Sequence, residues 1–121
     1  MRLYYVLDLK DDPASIAEYE RWHRPENVWP EIVDSIRAAG VHDLDIFRAG
    51  NRLVLVLDVA DDYSAERKAA SDAANPRVQE WETLMWKFQQ ALPFAKPGEK
   101  WVAMQPIFSL KDALAVPRDH R

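Results

Sequence analysis

The sequence predicts an α+β fold in which one antiparallel sheet carries its helices on a single face. Three observations predict it. Alternation of apolar residues at period two marks strands near residues 2–9, 41–48, 52–59 and 101–110. Apolar spacings of three and four mark helical segments between the first and second strands and again before the last. The turn Ala49, Gly50, Asn51 joins the middle strands as a hairpin. The resulting order, strand, broken helix, strand, strand, helix, strand, is the split βαβ arrangement called ferredoxin-like.

Each element has its own local cause. Leu3, Tyr5, Leu7 and Leu9 share one side of the first strand, with Tyr4, Val6 and Asp8 on the other. Asp12 followed by Pro13 reads as an N-cap and first helical position, so a helix is expected over 13–24, where Pro25 stops it. Asn27 is the expected cap of a second segment with Pro30 in its first turn, a buried stripe of Ile32, Val33, Ile36 and Ala39, and Gly40 as its stop. RLVLVLDV, residues 52–59, is nearly continuous in apolar residues, as expected of an inner strand buried on both faces. Residues 64–74 are helix-compatible but lack an apolar stripe. Asn75 and Pro76 restart a helix whose stripe is Val78, Trp81, Met85, Phe88 and Leu92. A Pro/Gly loop, PFAKPGEK, precedes the last strand.

At 121 residues the chain is long enough for one domain, here 1–110, with 111–121 as a tail that is loose or packed on a partner subunit. One helical layer leaves the second sheet face uncovered. The economical cover is a second copy, giving an isologous homodimer packed sheet to sheet. Apolar residues at 48% and charged residues at 30% place the chain among soluble globular proteins, with no run near the roughly 20 apolar residues of a membrane span. The opening MRLYYVLDLK lacks the features of a signal peptide, and the absence of cysteine rules out disulfides and thiolate metal sites and suits a reducing cytoplasm. A net charge of -4 removes the electrostatic reason to expect nucleic acid. With three histidines and no ligand spacing between His42, His120 and any partner, no zinc site is expected.

The stretch 17–32, AEYERWHRPENVWPEI, concentrates the candidate chemistry. Tyr19 and His23 are four residues apart and leave one helix face together. His23 ends that helix between Trp22 and Trp29, and an imidazole titrating near neutrality is suited to general acid/base work. Packing or capping is the competing role for a lone histidine beside aromatics. One of Asp8, Asp45 and Asp58 is a candidate to orient it or to bind a substrate hydroxyl.

The run EYERWHRPENVWPEI resembles the E-Y-x-x-x-H-x-P...W-P-E-L signature of the L-rhamnose mutarotase family, which includes L-fucose mutarotases. The likeness extends more loosely through AAGVHDLDIF, QEW and MQPIFSL. It implies a small, cofactor-free, dimeric α+β barrel protein that interconverts the anomers of a 6-deoxy-L-sugar. It also implies His23 as the proton donor, Tyr19 as a sugar contact and Trp81 as a residue placed against the sugar. Trp81 lies on the apolar stripe of its helix, so core packing and pocket lining are both open for it. Glu82 stands where the family has a second tryptophan; it flanks the helix stripe together with Trp86 and Gln89, so a sugar hydroxyl and plain solvent are both open as its partner. Leu44 stands where the rhamnose-type pattern has a sugar-contacting tyrosine. Two extra residues lengthen the turn between His23 and Trp29. The exchanged polar partners shift the expected sugar toward L-fucose. The same fold class hosts cofactor-free monooxygenases and haem-binding dimers, and a binding module without turnover is a third reading. Glu18, Tyr19 and Glu20 make the site more polar than a haem pocket, which ranks the mutarotase reading first.

Overall fold

A computed structural model describes residues 1–118 and shows the predicted order with two additions, a short strand before the last one and a terminal helix. Strand β1 (Arg2–Leu9) leads through Asp12 into helix α1 (Pro13–Trp22), and α2 (Pro30–Ala38) follows a tight turn. The hairpin β2 (Val41–Ala49) and β3 (Arg52–Val59) comes next, then α3 (Ala65–Ala73) and α4 (Pro76–Trp86). Two short strands, β4 (Gln89–Gln90) and β5 (Val102–Ala103), and helix α5 (Leu110–Ala115) finish the described chain. The strand order is β2-β3-β1-β4, with β5 also on β1 and every pairing antiparallel. This is the ferredoxin-like order of the dimeric α+β barrel class.

The core lies between the sheet and the helices. Leu7 and Leu9 of β1 and Leu53, Leu55, Leu57 and Val59 of β3 are buried on that side, against Ile32 of α2 and Val78, Trp81 and Met85 of α4. The expectation that β3 is buried on both faces needs correction for the single chain. Val54 and Val56, on the opposite face, stay partly accessible beside exposed Tyr4 and Phe47, because no helix crosses that side.

Four local expectations also differ. Helix α1 ends at Trp22 with His23 as its C-cap, two residues before the predicted end. Asn27 does not cap α2: its Nδ2 donates to the Arg21 carbonyl at 2.8 Å, closing α1 instead, and Trp29 takes the N-cap without a side-chain bond. The α4 stripe does not run to Leu92 on one helix. The helix stops at Trp86 because the open edge of β1 captures the chain, with Lys10 N–H donating to Phe88 O at 2.8 Å and Leu9 paired with Gln89. The last strand is two residues long, plus one bond from Met104 N–H to Tyr4 O. Its register reaches the start of β1 within a few residues, and Pro106 has no N–H to offer. Beyond it the predicted tail includes a helix, α5, capped by Ser109 and carrying no buried residue. His120 and the end of the tail lie outside the described residues. No helix among the described residues is long and apolar enough to cross a membrane.

Candidate active site

Tyr19 and His23 sit on the last turn of α1 and at its cap, with ring centroids 4.3 Å apart. His23 Nδ1 lies 2.7 Å from the backbone oxygen of Tyr19. A carbonyl only accepts, so Nδ1 carries the proton, and in the neutral ring Nε2 holds the lone pair. Burial disfavours the imidazolium and holds His23 below its ordinary value of 6.5, against the opposing effect of the Tyr19 carbonyl. His23 is therefore neutral at pH 7 and able to accept a proton. Tyr19 is 3% exposed. Burial pushes its phenol well above the usual 10; the Gln89 side chain, as a hydrogen-bond donor, acts against that rise, and the negative charge of Glu82 adds to it. Tyr19 stays protonated and acts as a donor.

Helix α4 supplies the facing wall. The Trp81 ring stands edge-on to His23 at 5.5 Å, to Trp29 at 5.1 Å and to Trp22 at 6.4 Å. It is both buried in the core and a wall of the cavity, so the two roles open for it coincide. Glu82 also lines the cavity, with Lys100 Nζ donating to its Oε2 at 3.1 Å. Trp29 stays in the cluster despite the longer turn, held under the Arg77 guanidinium, whose Cζ is 3.7 Å from the ring centroid. Arg77 in turn donates to Glu31 of α2 at 2.8 Å and ties the two helices together.

The cavity, about 470 Å³, lies between the sheet and helices α2 and α4. Tyr19, His23, Leu44, Trp81, Glu82, Gln89 and Trp101 all line it, a largely apolar wall with few polar groups, as small-ligand sites have. A second recess of about 370 Å³ shares Tyr19, His23, Leu44 and Ile46 and adds Glu20, Asp45 and Arg48. An ion pair between Arg48 and Glu20 closes its rim. His23 and Tyr19 thus border both spaces.

All four sequence-predicted site residues, Tyr19, His23, Trp81 and Glu82, meet at the larger cavity. The carboxylates proposed to orient His23 do not. Asp8 accepts from Arg52 at 2.8 and 3.1 Å, Asp58 lies 3.6 Å from the N-terminal amine, and Asp45 borders the smaller recess. The backbone of Tyr19 takes the orienting role. His42 and His23 both line the cavity, but among the described residues no group of three His, Cys, Asp or Glu side chains is placed to hold a metal. Sequence reasoning missed Trp101 and Lys100, which enter from the loop before β5. It put Gln89 on the flank of a helix, whereas pairing with Leu9 places it in β4. No local pattern signals either outcome.

Comparison with known proteins identifies the family. The family model described as L-rhamnose mutarotase matches residues 2–110. An L-fucose mutarotase of Xanthomonas campestris pv. campestris is 57% identical over 115 residues, covering 95% of this chain and 92% of its own length. An L-rhamnose mutarotase of Burkholderia cenocepacia is 32% identical, covering 82% and 89%. The crystal structure of an L-rhamnose mutarotase from Formosa agariphila superposes with a TM-score of 0.66 at 21% identity, covering 91% of this chain and 98% of that one, a likeness of fold. With the match spanning nearly the whole described chain, this protein belongs to the L-rhamnose mutarotase family.

Proposed function

We propose that the chain is a cofactor-independent mutarotase that interconverts the α and β anomers of a 6-deoxy-L-hexose, L-fucose in preference to L-rhamnose. The observation that carries the reading is His23: its Nδ1 is committed to the Tyr19 carbonyl, leaving Nε2 as a base at a cavity sized for a small ligand. In ring opening, the proton of the anomeric hydroxyl moves to Nε2, the C1–O5 bond breaks with its electron pair going to O5, and C1–O1 becomes a carbonyl. O1 and O5 share C1, so the imidazolium formed in the first transfer is in reach of O5 and returns the proton there. Rotation about C1–C2 then presents the other carbonyl face to the closing hydroxyl. Trp81 offers an apolar wall to the sugar ring, and Tyr19 and Glu82 are partners for its hydroxyls. Such positioned proton transfer contributes about 10²- to 10⁴-fold in rate.

The preference for L-fucose rests on the 57% identity to a protein named for that sugar and on Leu44 and Glu82, both at the cavity. One or two altered contacts discriminate by roughly 10- to 200-fold. Saturation transfer between anomer signals in NMR, run for both sugars, tests both parts. Faster exchange of L-fucose is expected, with His23→Ala folded and reduced by at least about 10²-fold. Wild-type rates in that variant remove the assignment, and faster exchange of L-rhamnose removes the preference alone.

The same reading includes a homodimer formed through the open sheet faces, with residues 104–116 packed on the partner. Tyr4, Phe47 and Met104 are exposed on or beside that face, and Ile107 and Phe108 beyond it are 96% and 74% exposed. Clustered apolar exposure of this kind marks an interaction surface.

A further inference from the structure

Gln89 is a buried polar side chain at the cavity that the proton transfer does not use. It is 5% exposed, and its Oε1 has no hydrogen-bond partner among the described residues. Pairing with Leu9, itself fully buried, fixes its backbone and turns its side chain to the helix side of the sheet, where it lines the cavity with Tyr19, His23 and Trp81. A buried amide oxygen left unpaired in a native fold calls for an explanation, and an oxygen that borders a ligand cavity has a direct one. Its ligand must bring a donor. A carboxylate or phosphate has none to give, whereas a sugar hydroxyl does.

We propose that Gln89 is a substrate-binding residue whose Oε1 accepts a hydrogen bond from one hydroxyl of the sugar. Tyr19 lines the same cavity, and its phenol, held protonated by burial, is a donor there. The two side chains together present one acceptor and one donor next to each other. That pair reads the orientation of neighbouring hydroxyls, so Gln89 contributes to the choice between sugars that differ there. The assignment rests on the reading of the cavity as a sugar site.

The test uses methyl L-fucopyranosides, which bind but cannot open, and their monodeoxy analogues, titrated calorimetrically against the full-length protein and Gln89→Met. Methionine keeps the length and removes both hydrogen-bonding groups. Affinity for the parent glycoside is expected to fall about tenfold. One monodeoxy analogue, lacking the hydroxyl that Oε1 accepts, is expected to bind both proteins alike. In anomer exchange with L-fucose the expected change is a raised KM with kcat within about threefold. Gln89→Glu, which keeps an acceptor, is expected to restore discrimination among the analogues and covers the case in which the methionine variant fails to fold. A purely structural role predicts equal losses for every analogue. That result, unchanged affinity in Gln89→Met, or no binding of the glycosides by the wild type overturns the assignment. Analogue discrimination through Gln89 by a protein that exchanges no anomers would leave it standing and remove the mutarotase reading instead.

Discussion

His23 is oriented by the carbonyl of the residue one helical turn before it, and its protonation is set by burial. Both effects leave a pH signature. The folded imidazole binds its proton below 6.5, while the unfolded one titrates near that value. As pH falls below 6.5 the unfolded chain takes up a proton that the folded chain refuses, so stability declines until the folded value is reached and then levels. The wild type is therefore expected to lose thermal stability between pH 7 and pH 5 relative to His23→Gln, measured by paired melting curves. Exchange is expected to persist through pH 6.5 and to fall only in more acid solution, since it needs the neutral ring. A half-maximal rate at or above pH 6.5 would contradict the burial argument.

Helix α4 holds Trp81 and Glu82 in place through its first turn. Asn75 accepts from Arg77 N–H at 3.1 Å and from Val78 N–H at 3.4 Å, and Pro76 occupies the position where a missing donor costs nothing. Asn75→Ala removes both bonds and is expected to cost about 1 kcal/mol, read as a fall of a few degrees in Tm. The anomer exchange rate at 25 °C should change less than twofold, because the cap bonds only backbone amides and Asn75 itself does not line the cavity. A loss of exchange without a loss of stability would mean that α4 is positioned by something else. Caps such as Asp12 and Asn75 are legible in sequence because their partners lie two or three residues away. Asn27 misleads because its carbonyl partner, on Arg21, is brought to it by the turn at Pro25.

The whole molecule has one covered sheet face and one uncovered, plus a terminal segment whose large apolar side chains touch little of their own domain. The proposed association of two copies would bury both features at once. Sedimentation at micromolar concentration is expected to give twice the 14.0 kDa chain mass. Val56→Lys, central on the open face, and an Ile107→Asp, Phe108→Asp double variant should each shift the protein toward monomer. A wild type that sediments as a monomer at that concentration would reject the interface.

Alternation and the 3.6-residue repeat determined the elements from β1 to α4 and their order by themselves, because each depends on neighbours within one turn or one strand. The same locality placed Tyr19 and His23 together. A four-residue spacing on a helix is a contact before any tertiary structure forms. Tertiary structure alone decided that Trp81 serves core and cavity together, that Glu82 faces Lys100, and that Gln89 leaves the helix for β4. Tyr19 and Gln89 are separated by most of the domain, and only the β1 edge, by taking residues 89 and 90 as a strand, brings both side chains to one cavity. Where a side chain points once a helix has been cut short depends on which strand edge is open, and that is a property of the assembled sheet, not of the residues that join it.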